Sequence, residues 1–183
     1  MAILSDHEGT FLSLVLRLQP TTAYQVAKVY EQSPVTNYKT HKAKMYGIID
    51  RLVARGWLEK RAVAHDRRGT EQLYCTDAGR AAVREWVNAT QPSHLLLDDP
   101  LRTKVQSFGL LTREEQVRWA VNLRERLQDK LGELEAYGRE VDVPFKDFVH
   151  DNAVRALRMR MDWLESMIAT IVADPKAASQ PTR

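Results

Sequence analysis

Apolar residues recur at helical spacing along most of the chain, with one short alternating stretch near the middle. One helix is marked by apolar residues three and four positions apart: Met45, Ile48, Ile49, Leu52 and Val53. Gly56 follows, where a residue without a Cβ can end a helix in the left-handed conformation. Residues 58–63 then alternate between apolar and polar, and residues 72–75 form a returning run. The pattern predicts a helix followed by a hairpin, with a charged turn at residues 65–69.

Three further helices are predicted around this stretch. Ser5 and Glu8 have the spacing of a capping box at the start of a first helix. A second helix is predicted over Ala23–Gln32, with four apolar positions facing inward: Tyr24, Val26, Ala27 and Tyr30. Thr76 caps a fourth helix that runs to about residue 90. Helices packed around a helix-and-hairpin unit form a winged helix-turn-helix, which we expect to occupy residues 1–90.

A second, wholly helical domain is predicted for residues 91–174. It begins with a linker and a short helix, and two long helices follow at about 112–137 and 145–172. The last residues, 175–183, are polar and are expected to form a disordered tail. The predicted fold class is therefore mainly α, with a small β-hairpin wing. It combines an N-terminal winged helix-turn-helix with a C-terminal antiparallel helical dimerisation domain.

The last long helix carries two apolar stripes. The first repeats every three or four residues, as the a and d positions of paired helices do, and is predicted to be the dimerisation surface: Val154, Leu157, Met161, Leu164, Ile168 and Ile171. The second consists of Ala156, Met159, Trp163 and Met167. One stripe can pack against the preceding helix, and the other then needs another partner. A homodimer is expected, because the helix would otherwise expose a large apolar patch. A monomeric hairpin packed on the winged helix is the alternative.

Positive charge is concentrated on the central helix and the wing. The 183 residues carry a formal net charge of +3, but nine Lys and Arg face three Asp and Glu between Lys39 and Arg68. Such an excess indicates a phosphate-binding surface, with an ordinary solvated face as the alternative. The first turns of the central helix would enter the major groove of DNA and the wing tip would reach the adjacent minor groove or phosphates. The DNA-contacting residues predicted in this way are Lys39, Thr40, His41, Lys42, Lys44, Met45, Arg67 and Arg68.

The chain also resembles the PadR family of bacterial transcriptional regulators. The similar features are Pro20 with Tyr24 at the second helix, Tyr46 in the third, R-L-x-x-x-G at Arg51–Gly56 and T-D-A-G-R at Thr76–Arg80. They cover residues 2–87, and the remainder is similar in architecture. The resemblance implies a dimeric DNA-binding repressor that is released by a small, often aromatic effector, and it implies that Tyr46 contacts the DNA backbone, with inward packing as the alternative. Two-fold symmetry implies an inverted-repeat operator. The single cysteine cannot form an internal disulfide, which suits a reducing cytoplasm. Phe108, Trp119, Met159 and Trp163 are candidates to line an effector pocket, although aromatic and methionine stripes are also ordinary packing.

The sequence leaves several alternatives open. Asp66-Arg67-Arg68 is also similar to the wing of MarR-type regulators, and a winged helix can serve as a protein-interaction module that does not bind DNA. The sequence does not separate a repressor from an activator. Where the family reads G-T-I-Y-P in the third helix, this chain reads A-K-M-Y-G at residues 43–47, so the operator is not predictable.

The sequence contains no motif that indicates catalysis or a membrane span. There is no Gly-rich phosphate loop, no H-E-x-x-H, no metal-ligand spacing and no nucleophile elbow, and the five histidines are scattered. We therefore expect no enzyme activity, no cofactor and no metal site. No apolar run approaches 18 residues, so no membrane span is predicted. The lone Cys75 is expected to pack in the core.

Overall fold

The computed structural model describes residues 4–34, 42–63, 69–96 and 99–173. Its elements are, in chain order, α1 (Asp6–Leu18), α2 (Ala23–Gln32), α3 (Lys42–Ala54), β1 (Leu58–Ala62), β2 (Glu71–Cys75), α4 (Asp77–Asn88), a 3-10 turn (Pro92–Leu95), α5 (Pro100–Gln106), a second 3-10 turn (Phe108–Leu110), α6 (Arg113–Glu140) and α7 (Lys146–Ala173). The chain divides into two compact units, one up to Leu95 and one from Leu96. The predicted fold class, helical with a single hairpin, is confirmed.

Capping residues set the starts of the first two helices. The Glu8 amide donates to Ser5 Oγ and the Ser5 amide donates to Glu8 Oε2, each at 3.3 Å, so the predicted capping box is present. A second capping box pairs Thr22 with Gln25 at the start of α2. These bonds satisfy amides that have no partner within the helix, which is why both helices begin where the sequence predicts.

One inward position in α2 was predicted wrongly. Tyr24 is 72% exposed, whereas Val26 and Tyr30 are buried. Successive residues of an α-helix turn by about 100°, so Tyr24 lies about 160° from Val26 around the helix. The Val26 side of α2 packs into the core, and Tyr24 faces away from the core.

The core of the N-terminal unit is made by α1, α2, α3, the hairpin and α4. Its fully buried side chains include Phe11, Leu12, Val26, Ile49, Leu52 and Leu73. The apolar face of α3 packs into this core as predicted, except that Val53 is exposed. Because α3 is anchored along one side by apolar contacts, its opposite side is held in a fixed orientation.

The wing is a two-stranded antiparallel hairpin tied to the start of the helix-turn-helix. Leu58 pairs with Cys75 and Ala62 with Glu71. The Leu73 amide donates to the carbonyl of Thr21 at 2.7 Å, which joins β2 to the segment before α2. Cys75 packs against the core, as predicted, and burial raises the pKa of its thiol.

The T-D-A-G segment closes the hairpin onto α3. Thr76 Oγ1 donates to the carbonyl of Gly56 at 2.7 Å and accepts from the Gly79 amide at 3.0 Å. A Cβ at Gly79 would lie 2.1 Å from the carbonyl oxygen of Trp57 and 2.9 Å from Cys75 Sγ. Only glycine therefore lets α4 approach the end of α3 this closely.

Residues 91–94, predicted to be a linker, instead fold back onto α1. Ser93 Oγ donates to Asp6 Oδ2 at 3.1 Å, and His94 Nε2 lies 3.1 Å from Asp6 Oδ1. Gln91 Nε2 also donates to the carbonyl of Leu4 at 3.2 Å. These bonds make residues 91–95 part of the N-terminal unit, so the domain boundary lies about five residues later than expected. The predicted tail, 175–183, lies outside the described residues.

The second unit is dominated by an antiparallel pair of helices, α6 and α7. A capping box of Thr112 and Glu115 starts α6 as predicted. Arg113 donates to the carbonyls of Ile171 and Val172, which ties the start of α6 to the end of α7. Gln116 is buried and donates to the carbonyls of Phe108 and Leu111, which holds the second 3-10 turn on α6. Asp99 caps α5 and pairs with Arg160 of α7 at 3.3 Å.

The stripe predicted to form a dimer is used within the chain. Val154 packs with Leu131 and Leu134 of α6, and Leu157 and Met161 pack against the same cluster. Leu164 is 0% exposed and Ile171 is also buried. The prediction of these residues as the dimerisation surface is corrected, because α6 supplies a matching apolar stripe in the same chain. The exposed side of α7 carries the second stripe, including Met159 at 60% exposure.

Candidate nucleic-acid interface

The exposed side of α3 is the candidate DNA-contacting surface. Lys44, Tyr46 and Asp50 are exposed on it, whereas Met45 is 3% exposed and belongs to the core. The prediction that Met45 contacts a base edge is therefore corrected, because its side chain would have to leave the core to do so. Lys44 and Tyr46 lie about 160° apart around the helix and flank its solvent-facing side. Gly47 lies between them and adds no side chain to that side.

Several predicted contacts lie outside the described residues. Lys39, Thr40, His41, Arg67 and Arg68 fall in the two gaps that precede α3 and follow β1. Lys42 is the first residue of α3, but its side chain is not described. Of the predicted contacts, the structure thus places Lys44 and Tyr46 on the exposed side of α3.

Two arginines on α3 and just beyond its end are paired inside the N-terminal unit. Arg51 Nε donates to Glu8 Oε1 at 2.9 Å, and Arg55 Nη1 donates to Glu8 Oε2 at 3.4 Å. The guanidinium of Arg55 also lies over the ring of Trp57, 5.0 Å from its centroid. In the sequence, both arginines count toward the positive charge of the α3 region. In the structure, Glu8 neutralises part of that charge.

Cations on the wing are paired as well. Lys60 Nζ lies 3.1 Å from Asp50 Oδ1 and 3.7 Å from Glu71 Oε2. Arg61 pairs with Glu59 at 2.9 Å on the outer side of β1 and stacks over the ring of Tyr74. The Lys60 contacts join α3 to both strands of the wing.

The free positive charge of this surface is therefore smaller than the sequence count suggests. Between residues 44 and 61, four of the five cationic side chains that the structure describes form ion pairs: Arg51, Arg55, Lys60 and Arg61. Lys44, on the first turn of α3, forms none. Any phosphate contact from the described part of α3 is thus expected to centre on its N-terminal end, where the helix dipole also favours an anion.

Two carboxylates in α1 have pKa values below their ordinary range. Burial raises the pKa of Glu8, but hydrogen bonds from Arg51 and Ser5 and the charge of Arg55 outweigh it. The pKa of Asp6 is lowered chiefly by its hydrogen bond with His94, and further by that from Trp86. Both shifts mean that the folded state favours the ionised carboxylates.

Acid is expected to weaken the N-terminal unit through these groups. The unfolded chain takes up their protons near the ordinary values of about 4, and the folded chain only at lower pH. Their stabilising contribution is thus complete above about pH 4–5 and is lost as the pH falls through the lower folded values. Between pH 6 and pH 3, the melting temperature should fall more steeply in wild type than in Glu8→Gln. Parallel melting curves would contradict this assignment.

The exposed side of α2 is a part of the surface that sequence reasoning missed. Tyr24 and Lys28 are both exposed and lie one turn apart on this side. The angle between Tyr24 and the buried Val26 around the helix indicates that Tyr24 faces outward. The prediction missed this because it assigned every apolar or aromatic residue of α2 to the inward side.

The predicted effector-binding residues are only partly brought together. Phe108 and Trp119 pack edge to face with ring centroids 5.1 Å apart. Met159 and Trp163 lie on the side of α7 turned away from its contacts with α6. Two open depressions, one along α4 and one between α6 and the end of α7, include none of the four residues.

Other chemistry has little support in the described part of the chain. Across residues 4–34, 42–63, 69–96 and 99–173, no group of three or more His, Cys, Asp or Glu side chains is arranged to hold a metal ion. In the same ranges, no helix is long and apolar enough to cross a membrane.

These features define a winged helix-turn-helix protein with a C-terminal helical hairpin, and solved structures share that fold. PadR of Bacillus subtilis in complex with operator DNA is 20% identical, with a TM-score of 0.76 over 91% of this chain and 99% of that one. PadR of the same organism in complex with p-coumaric acid is 17% identical, with a TM-score of 0.73 over 90% and 97%. A PadR-like transcriptional regulator of Bacillus cereus is 16% identical, with a TM-score of 0.68 over 92% and 97%.

The predicted resemblance to PadR regulators is thereby confirmed at the level of the fold. No protein-family model matches the sequence, and no curated protein matches it.

Proposed function

We propose that this protein is a DNA-binding transcriptional regulator of the PadR type. The observation that carries the proposal is the exposed side of α3, flanked by Lys44 and Tyr46, in a fold shared with a PadR bound to operator DNA. In a winged helix this helix enters the major groove, and its N-terminal residues approach the bases. Lys44 and Tyr46 then contact the backbone or base edges, together with the predicted residues of the two undescribed segments.

A homodimer is part of the proposal. The side of α7 opposite α6 carries exposed Phe148 and Met159 and partly exposed Trp163 and Met167. An apolar stripe of this length is unusual on a monomer and is suited to pairing with its own copy. Two-fold symmetry implies an inverted-repeat operator whose half-sites lie about 34–36 Å apart, one helical turn of DNA.

Repression with release by an effector is the proposed output. A regulator that covers a promoter excludes polymerase, and a ligand that favours another arrangement lowers operator affinity. Phe108 and Trp119 form an aromatic pair in the second unit, which suits an aromatic compound, and a B. subtilis PadR was solved with p-coumaric acid. The site of action is the cytoplasm, where bacterial DNA lies.

A protein-interaction module is the second candidate. The pairing of four cations on α3 and the wing favours it, since a surface with little free charge has less attraction for phosphate. The salt dependence of DNA binding separates the two functions, because binding that releases counterions weakens steeply as salt rises.

Replacing Lys44 tests the surface directly. Lys44→Ala is expected to weaken operator binding by about 1 kcal/mol, roughly fivefold, and to reduce the salt slope by about 1, because one phosphate contact is lost. Fluorescence anisotropy with a labelled operator at several salt concentrations measures both quantities. Lys104→Ala, an exposed lysine of α5, is the matched control and should bind as wild type. Equal binding by wild type and Lys44→Ala would remove this end of α3 from the interface.

A further inference from the structure

Glu8 is a buried carboxylate with more partners than a helix cap requires. Its side chain is 7% exposed, and Oε2 accepts from the Ser5 amide, which completes the capping box. Arg51 and Arg55 contact the same carboxylate. Capping needs the bond to the Ser5 amide but neither arginine. The two arginine contacts therefore point to a second role for Glu8.

Three cations lie along one side of α3 and just beyond its end, and they differ in their ion pairs. Lys44, Arg51 and Arg55 fall within about 40° of one another around the helix axis. Glu8 pairs with the two nearer the C-terminus, while Lys44 near the N-terminus has no ion pair. The side chains of Arg51 and Arg55 are 56% and 36% exposed, so both remain within reach of a large anion at the surface.

Other contacts keep the two guanidiniums in place. Arg55 is held over the ring of Trp57. Arg51 extends back along α3, with Nη1 3.5 Å from the position that a Cβ at Gly47 would occupy. A guanidinium that is already bonded to a buried carboxylate must lose or share that bond before it neutralises a phosphate, and the buried carboxylate would then be left uncompensated.

We propose that Glu8 is a positioning residue of the DNA-binding surface. By keeping Arg51 and Arg55 paired within the protein, it withholds their charge from the DNA backbone and leaves the phosphate contacts to the N-terminal end of α3. This inference rests on the proposed function. Sequence-independent affinity comes from neutralised phosphates, whereas operator affinity also includes base contacts. Withholding two charges therefore lowers the sequence-independent, salt-dependent part of the affinity for any duplex.

The test is the binding of full-length Glu8→Gln to a random duplex and to the operator over a range of salt concentrations. Glutamine keeps the shape and one acceptor oxygen but removes the charge that holds the arginines. Each arginine released to a phosphate steepens the salt slope by about 0.9, so an increase of about 1–2 is expected. Affinity should rise at least about threefold, and by a similar factor for the random duplex and the operator.

Two control variants separate this role from general effects. Glu125→Gln changes the net charge equally at an exposed position of α6 and should leave the salt slope unchanged. Ser5→Ala weakens the cap but keeps the Glu8 charge, so it should lower the melting temperature without changing the slope. If Glu8→Gln melts at a lower temperature and binds with the wild-type slope, Glu8 is only structural and the inference is overturned. If wild type binds neither duplex, the proposed function fails and the inference with it.

Arg51→Gln gives an independent result should Glu8→Gln fail to fold. Because Arg51 is withheld from DNA, its replacement should leave the salt slope of operator binding at the wild-type value, in contrast to Lys44→Ala. A slope that becomes shallower by about 0.9 in Arg51→Gln would show that Arg51 contacts a phosphate, which would overturn the inference.

Discussion

Met159→Glu is expected to convert the protein to a monomer and to abolish tight operator binding. Met159 is 60% exposed on the apolar side of α7 that faces away from α6. Burying an unpaired carboxylate from each subunit in the interface costs several kcal/mol. Linked half-sites bind more tightly than separate ones by about 10²–10⁴-fold, and a monomer loses that factor. Light scattering and operator titration measure the two effects.

The matched control for this variant lies on the other long helix. Gln128→Glu adds the same charge at an exposed polar position of α6 and should remain dimeric. Leu164→Glu is not a suitable test, because Leu164 is fully buried within the subunit and its replacement should disrupt the hairpin itself. A dimeric Met159→Glu, or a monomeric wild type, would contradict the proposed interface.

Gly79→Ala is expected to lower the free energy of unfolding of the N-terminal unit by about 3 kcal/mol. The new methyl group would lie 2.1 Å from the carbonyl oxygen of Trp57, and backbone atoms cannot move aside as a flexible side chain can. Relief requires α4 to move away from the end of α3, which breaks the bonds of Thr76. For a unit of this size, the melting temperature should fall by roughly 10–20 °C in differential scanning calorimetry.

Gly47→Ala is the control for this second variant. A Cβ at Gly47 would meet only Arg51 Nη1, at 3.5 Å, which is an ordinary contact. Alanine in place of glycine within a helix adds about 0.5–1 kcal/mol of stability, so the melting temperature should rise. If Gly79→Ala melts at the same temperature as wild type, the close approach of α4 to Trp57 is not a constraint on the fold.

Local signals in the sequence predicted the secondary structure well. Ser5 and Thr112 start α1 and α6 as predicted, since a cap depends on residues only three positions apart. The bounds of α2 match because Thr22 and Gln25 fix its start. The hairpin was predictable from its alternation and from two glycines with positive φ, Gly56 before β1 and Gly69 between the strands.

Features that depend on distant residues were not predictable. Glu8 was visible as a cap, but its bonds to Arg51 and Arg55 span 43 and 47 positions of sequence. Its partners are set by how α1 packs on α3, which no local pattern encodes. Pro92–Leu95 likewise has the composition of a linker, and its bonds to Asp6 depend on the return of the chain to α1.

The two stripes of α7 illustrate a related limit. Periodicity identified both stripes, but either could have faced α6. The structure shows that Val154 packs with Leu131 and Leu134 of α6, while Met159 is exposed. Periodicity counts apolar positions, whereas the choice between faces depends on how well each one fits the partner helix.

Binding to duplex DNA that contains the upstream region of the protein's own gene is the most direct test of the central proposal. Labelled fragments should be titrated at low and physiological salt, with a shuffled fragment of equal composition as competitor. A regulator should bind the genomic fragment selectively, protect two half-sites about one helical turn apart, and lose affinity as salt rises. Equal binding to both fragments, or no binding at low salt, would contradict the account and favour a protein-interaction module.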